Sequence, residues 1–314
     1  MDCLLVGTGG MMPLPDRYLN ALFVRVEGVG YLFDCGEATQ VAMKAWRTGF
    51  RAVTLLAVTH LHGDHVLGIP GVLMCRTHAE ATEPLTILGP TGIRRFVENT
   101  VADLRYRVGF PLRFIEVDVD TLVAEKNPAE LYRDERCRVL GLPLAHGTPC
   151  LGYRLEEHAR PGKFEPSRAR DAGVPEGPLW GKLQQGNAVA TPDGRVVEPA
   201  AVLGPPRRGR ACVLVTDTVA TKNVYRLVDG ADAAFLEGMF LERDFDRSDD
   251  KAHMTVAKAA RIGREKGALR TVLVHLSPRY TRDDLADLEA EARAENPTAE
   301  IGRDGARYEI ALPD

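Results

Sequence analysis

Short apolar runs alternate with polar and glycine-rich breaks along most of the chain, the pattern of strands and helices in regular exchange. Cys3–Val6 is apolar and ends at Gly7-Thr8-Gly9-Gly10, after which Pro13 and Pro15 keep the backbone irregular. Leu22–Glu27 alternates, and Gly28-Val29-Gly30 turns it into Tyr31-Leu32-Phe33, so a hairpin is predicted. Ala38–Trp46 predicts a helix closed near Gly49. Val53–Val58 has the β-branched and aliphatic make-up of a buried strand. Further strands are predicted at Leu85–Leu88, Phe114–Val119, Val139–Leu144 and Leu151–Leu155, with a helix over Thr91–Leu104. Beyond residue 210 come strands at Cys212–Thr216, Ala233–Leu236, Thr271–Val274 and Arg307–Leu312, and helices at Ala252–Lys266 and Asp283–Glu295.

Residues 156–210 break this rhythm. They are rich in Pro, Gly and charge, poor in apolar periodicity, and read as an excursion from the globular body with no core of its own. The excursion is net basic (Arg160, Lys163, Arg168, Arg170, Lys182, Arg195, Arg207, Arg208 and Arg210 against Glu165, Asp171, Glu176, Asp193 and Glu198) in a chain of net charge −4. Phosphate contact suits such a segment; a solvated loop is the plainer alternative.

Composition adds bounds. With 314 residues, 45% hydrophobic and 27% charged, the chain can bury a large core in one or two domains and has no apolar run that would span a membrane. Met1-Asp2-Cys3 lacks the basic start of a signal peptide. The six cysteines (3, 35, 75, 137, 150 and 212) are scattered without a CxxC pair, which suits a reduced cytoplasm and core-filling roles. The Gly7–Gly10 run lacks the GxxxxGK[ST] pattern and reads as a tight turn, not a phosphate loop.

The chemistry gathers at strand ends. Thr59-His60-Leu61-His62-Gly63-Asp64-His65 follows the Val53–Val58 strand directly and holds three of the eight histidines. His60 and His62, two apart, point to one side of an extended backbone, and Gly63 lets the chain turn before Asp64 and His65. Imidazole and carboxylate suit zinc and similar ions. His146, Asp217 and His275 also end predicted strands, so ligand types recur in both halves, as in two β-rich halves facing across a cleft. His146 alone would as readily be structural. Together, five histidines and two aspartates can serve two ions with a bridging carboxylate, and ions ~3.5–4 Å apart clamp both oxygens of a phosphodiester and generate hydroxide near neutral pH.

The His60–His65 stretch resembles the HxHxDH signature of the metallo-β-lactamase superfamily, and the neighbouring sequence resembles its ribonuclease Z branch over nearly the whole chain. Gly7–Gly10 with Pro13 and Arg17 is similar to the family's opening GTGG…P…R. Phe33-Asp34-Cys35-Gly36-Glu37 matches FDCGE, and Thr59–His65 with Gly68-Ile69-Pro70-Gly71 resembles THxHGDHxxGLPG. His146 with Gly152-Tyr153-Arg154, Asp217-Thr218, His253-Met254-Thr255 and His275-Leu276-Ser277-Pro278-Arg279-Tyr280 are similar to the later motifs. Departures are Thr216 for glycine, Leu236–Phe240 for HEATF, and Ala38 for a second glycine; they touch no proposed ligand and bear on substrate and rate.

The resemblance implies an α/β (α+β), four-layer αββα sandwich, a single domain over 1–314 with a projecting tRNA-binding arm at about 157–204. It implies two Zn2+ per subunit (Mn2+ or Fe2+ also fit), one held by His60, His62 and His146, the other by Asp64, His65 and His275, with Asp217 bridging. Asp64 would orient or deprotonate the attacking water, and His253, paired with Glu237, would serve the leaving 3′-oxygen. Lys163, Arg168, Arg170, Lys182, Arg207, Arg208 and Arg279 would contact substrate. The implied activity is cytoplasmic removal of the 3′ trailer of precursor tRNA by a homodimer in which one subunit's arm holds tRNA for the other's site. The alternatives are a hydrolase of a small-molecule ester on the same fold, an RNA-binding protein with a decayed site, and, least, redox chemistry.

Overall fold

The computed structural model describes residues 1–122, 127–247 and 252–313. The strands run β1 (Asp2–Gly7), β2 (Ala21–Val26), β3 (Val29–Phe33), β4 (Val53–Ala57), β5 (Leu85–Pro90) and β6 (Leu112–Val117). Next come β7 (Ala129–Arg133), β8 (Cys137–Leu144) and β9 (Cys150–Glu157), the short pair β10 (Val189–Ala190) and β11 (Val196–Val197), then β12 (Ala211–Val215), β13 (Ala233–Glu237), β14 (Thr271–Val274), β15 (Glu300–Ile301) and β16 (Arg307–Glu309).

Two seven-stranded sheets form the body, in the orders β16-β1-β2-β3-β4-β5-β6 and β15-β14-β13-β12-β9-β8-β7. The first is antiparallel from β16 to β3 and parallel from β3 to β6; the second is parallel from β12 to β15 and antiparallel where β9 meets β12. Period-two alternation divides each strand between two cores. In β1, Cys3 and Leu5 face the other sheet, while Leu4 and Val6 face outward. Cys212 and Leu214 of β12 meet that same central core, while Val213 and Val215 face the other way. Outside the first sheet lie the helices Thr39–Ala45, Ile69–His78 and Ile93–Asp103. Outside the second lie Lys222–Val228, Val256–Glu265 and Leu285–Glu295. The result is the predicted helix–sheet–sheet–helix sandwich. Each buried Val, Leu, Ile or Phe contributes roughly 1.5–3 kcal/mol, which holds the strand ends rigid enough to carry chemistry.

The chain divides into two compact units: Met1–Glu156 with Ala211–Ala311, and Glu157–Arg210, to which Leu312 and Pro313 also belong. The second unit is not coreless, as its composition suggested. Ala169, Val174, Leu183, Val189, Val197 and Val202 are buried together, flanked by Phe164 and Trp180 with ring centroids 5.1 Å apart. The apolar residues are too widely spaced to show a period, but two short helices (Pro166–Asp171 and Pro178–Gln184) and the β10–β11 pair collect them. No helix among the described residues is long and apolar enough to cross a membrane.

Candidate metal centre

The site is built at the C-terminal ends of five strands of the larger unit. Asp34 follows β3, the His60–His65 segment follows β4, Asp217 follows β12, Glu237 ends β13 and His275 follows β14. His146 lies between β8 and β9, and His253 precedes the helix Val256–Glu265. His62 is extended (φ −67°, ψ 152°), and a single helical turn, Gly63–Val66, reverses the chain so that Asp64 and His65 approach from another side.

These residues fall into groups whose candidate ligand atoms lie within 4.8 Å of one another: His60, His62 and His146; Asp64, His65 and His275; and His60, His65 and Asp217. Asp217 is central. Its Oδ2 is 3.2 Å from Nε2 of both His65 and His275, and its Oδ1 is 3.9 Å from His146 Nε2. Asp64 Oδ2 is 3.5 Å from Nε2 of both His65 and His275. His146 Nε2 and His62 Nδ1 are 3.3 Å apart. His60, His65, Asp217 and His275 are buried, whereas His62 is exposed, so the cluster opens to solvent on the His62 side.

The polar bookkeeping fits a metal site. Buried and without a hydrogen-bond partner are His60 Nε2, His65 Nε2, His146 Nδ1, Asp217 Oδ2 and both ring nitrogens of His275. Orphaned buried groups are costly and rare in native proteins, and so many converging on one point call for a ligand. Burial, reinforced by His65, pushes His60 down to about 2, so it is neutral as a ligand must be. Burial also opposes charge on His65 and His275. The carboxylates Asp34 and Asp217 nonetheless hold His65 well above the ordinary histidine range, and Asp217 and Asp64 hold His275 at about 10. Burial opposes ionisation of Asp217 and Asp64 too, yet the histidines keep both far below the usual carboxylate range. The carboxylates thus draw positive charge onto the imidazoles they face, and a divalent cation would supply that charge in place of the two protons.

Supporting contacts fix the donors. Asp34 accepts from Thr59 N–H (2.8 Å) and Thr59 Oγ1 (3.0 Å) and meets His65 Nδ1 at 2.9 Å, which turns His65 Nε2 toward the cluster. The Met11 amide donates to Asp64 Oδ2 at 2.7 Å. Glu237, fully buried, meets His253 Nδ1 at 2.8 Å and accepts from the amides of Thr218 and Met254. Burial would raise the Glu237 carboxyl, but His253 draws it below its ordinary value. His253 stacks on His275 with centroids 5.8 Å apart, which places its ring beside the cluster. Asp34 was not singled out as a functional residue from sequence; its signal was an acid at a strand end, shared with Asp217. His78 is exposed and His158 half-buried, and neither joins the cluster.

Residues 1–101 match the family described as anti-Pycsar protein Apyc1. The whole chain is 36% identical over 317 residues to a protein from Treponema denticola named ribonuclease Z, covering all of this chain and 99% of the other. A ribonuclease Z from Salinibacter ruber is 37% identical over 311 residues, with 99% and 94% covered. The chain belongs to the ribonuclease Z family. It is accordingly a metal-dependent hydrolase with the metallo-β-lactamase fold. The crystal structure of human tRNase Z, short form, superposes with a TM-score of 0.72 at 25% identity, covering 99% of this chain and all of that one. YhfI from Bacillus subtilis, a metallo-β-lactamase fold protein, shares the fold at a TM-score of 0.66 and 17% identity, each chain 98% covered.

Most of the basic residues expected to touch a ribonuclease Z substrate have local partners. Arg168 pairs with Glu165 at 2.8 Å and Arg170 with Glu176 at 2.6 Å, while Lys163 and Lys182 are exposed. Arg207 donates to Pro161 O at 3.1 Å, and Arg208 to Gly209 O at 3.2 Å. Arg279, in the larger unit, lies over the Phe240 ring at 4.7 Å with Asp244 3.8 Å away.

Proposed function

We propose that this protein is an endoribonuclease that removes the 3′ trailer of precursor tRNA, with two zinc ions at the strand-end cluster. Full-length kinship to proteins named ribonuclease Z carries the reading, and the orphaned donor atoms support it. In this reading His60, His62 and His146 would hold one ion and Asp64, His65 and His275 the other, with Asp217 available to both; manganese or iron would also suit these donors. Bound there, the ions supply Lewis acidity toward the phosphodiester and bring the pKa of water near neutrality.

The chain's own groups do the rest. Asp64, held by the Met11 amide, orients the attacking water or takes its proton. Water adds to phosphorus, the P–O3′ bond breaks, and His253 delivers a proton from Nε2 to the departing 3′-oxygen. Glu237 steadies the cationic imidazole through Nδ1. The tRNA leaves with a 3′-hydroxyl and the trailer with a 5′-phosphate. The protein acts in the cytoplasm as a homodimer. The unit Glu157–Arg210 serves as a tRNA-gripping arm on a single catalytic domain, its Lys163, Arg168, Arg170, Lys182, Arg207 and Arg208, with Arg279, meeting phosphates.

A second reading, hydrolysis of a small phosphodiester, draws on the match of residues 1–101, which include four of the cluster residues, to a family other than ribonuclease Z. One experiment separates the two: purified protein with zinc or manganese is given a 3′-extended tRNA and bis-(p-nitrophenyl) phosphate. Cutting near the discriminator base is expected, reduced by ~10²–10⁴ in Asp64→Ala. His253→Ala should slow RNA cleavage by a similar ~10²–10⁴ but hardly affect the diester, whose p-nitrophenolate leaves without a proton. Turnover of the diester alone would sink the tRNA reading and favour the second.

A further inference from the structure

Away from the metal cluster, the larger unit contains a cavity of about 600 Å³ between the Thr8–Tyr18 segment, Trp46 and the helix Leu285–Glu295. Its size is that of small-molecule sites. Three acids line it, and each is engaged. Asp16 meets Arg282 at 2.6 Å, and Glu289 meets Arg293 at 2.6 Å. Asp304 accepts from Thr8 Oγ1 at 2.7 Å and from the Tyr18 amide at 2.6 Å.

Two guanidiniums are not fully engaged. Arg17 is 7% exposed, donates through Nη1 to Tyr280 O at 3.1 Å and lies in the field of Asp16 and Asp304; its remaining N–H groups make no hydrogen bond among the described residues. The exposed Arg303 side chain makes no hydrogen bond or ion pair among the described residues. A buried arginine with spare donors is expensive unless an acceptor arrives. The Trp46 indole and the Tyr18 phenol supply aromatic walls. Paired arginines suit a phosphate, and aromatic faces suit a base.

We propose that this cavity binds a nucleotide, with its phosphate on Arg17 and Arg303 and its base against Trp46 and Tyr18. The nucleotide is either free or part of a bound RNA. The cavity is wired to the catalytic cluster. Thr8 O accepts from Leu276 N (2.9 Å), Gly10 N donates to Leu276 O (3.0 Å), and the next amide, Met11, holds Asp64. A side chain at Gly10 would meet the His275 ring at 2.6 Å, so the loop is pressed against a cluster residue.

The test titrates the full-length protein calorimetrically with AMP, GMP, CMP and UMP, and measures its dissociation constant for 3′-extended tRNA. The variants are Arg303→Gln, which removes an exposed phosphate donor, and Ala286→Trp, which fills the cavity from an exposed helix position. A mononucleotide dissociation constant below ~1 mM, weakened about tenfold or more in both variants, identifies a free nucleotide as the occupant. No mononucleotide binding, but tRNA affinity weakened about fivefold or more in both variants, assigns the site to a nucleotide of the RNA. If both variants bind mononucleotides and tRNA as the parent does, the proposal is overturned.

Discussion

Asp34 belongs to none of the candidate ligand groups, yet the geometry of the cluster depends on it. Its backbone sits at φ 57°, in the left-handed region that aspartate enters at some cost, and Asp217 (φ 54°) and His275 (φ 56°) share this conformation at their own strand ends. Strain of this kind persists where the surroundings over-determine it, as at functional sites. The conformation turns Asp34 back toward Thr59 and His65, and its carboxylate then selects the His65 tautomer whose Nε2 lone pair faces the metal position. Asparagine is nearly isosteric but can present an N–H to Nδ1, which would favour the wrong tautomer. Asp34→Asn should therefore keep its circular dichroism and lose ~10–100-fold in metal affinity, read by chelator competition. Zinc affinity equal to that of the parent would show that His65 needs no such orientation.

At the scale of elements, the helix Val256–Glu265 explains the placement of His253. The sequence predicts a helix over Ala252–Lys266, but the helix begins only at Val256, because Thr255 caps it and accepts from the Lys258 amide. That cap frees His253 and Met254 to bond Glu237 instead of joining a helical turn. Thr255→Ala should cost about 1 kcal/mol in urea unfolding and lower RNA cleavage, while diester turnover stays near the parent value. An unchanged RNA rate would mean that Glu237 alone holds His253. This helix also marks how far the sequence could be read. His60, His62, Asp64 and His65 are adjacent in the chain, so spacing revealed them. Glu237 and His253 are isolated positions sixteen residues apart, joined only by the fold, and resemblance alone pointed to them. Elements with continuous apolar runs, such as Thr271–Val274, fell where predicted. No helix is predicted over Ile69–His78, since Pro70 and Gly71 are poor helix formers, although proline is favoured in a first helical turn. The Ala129–Arg133 strand was missed because, at a sheet edge, it buries no residue fully.

At the scale of the molecule, the interpolated unit enters the sandwich between two paired strands. Glu156 of β9 stands opposite Ala211 of β12, Leu155 stands opposite Cys212, and the Glu157 amide bonds Arg210 O at 2.9 Å. The ends of the Glu157–Arg210 segment thus already lie at hairpin spacing, and a two-residue turn such as Asn-Gly can replace residues 158–209 without moving either strand. Closing a shorter loop also costs less entropy. The segment buries its apolar residues on one another, so its removal takes no side chain from the three clusters of the sandwich. The shortened protein should keep its metal content and its turnover of bis-(p-nitrophenyl) phosphate, because every cluster residue lies in the larger unit. If the unit grips tRNA, KM for a 3′-extended precursor should rise about tenfold or more, with a weaker dependence on salt, since fewer phosphates are neutralised. Efficient cleavage of the precursor by the shortened protein, with the parent's salt dependence, would remove the unit from RNA recognition and leave its basic residues as a solvated surface.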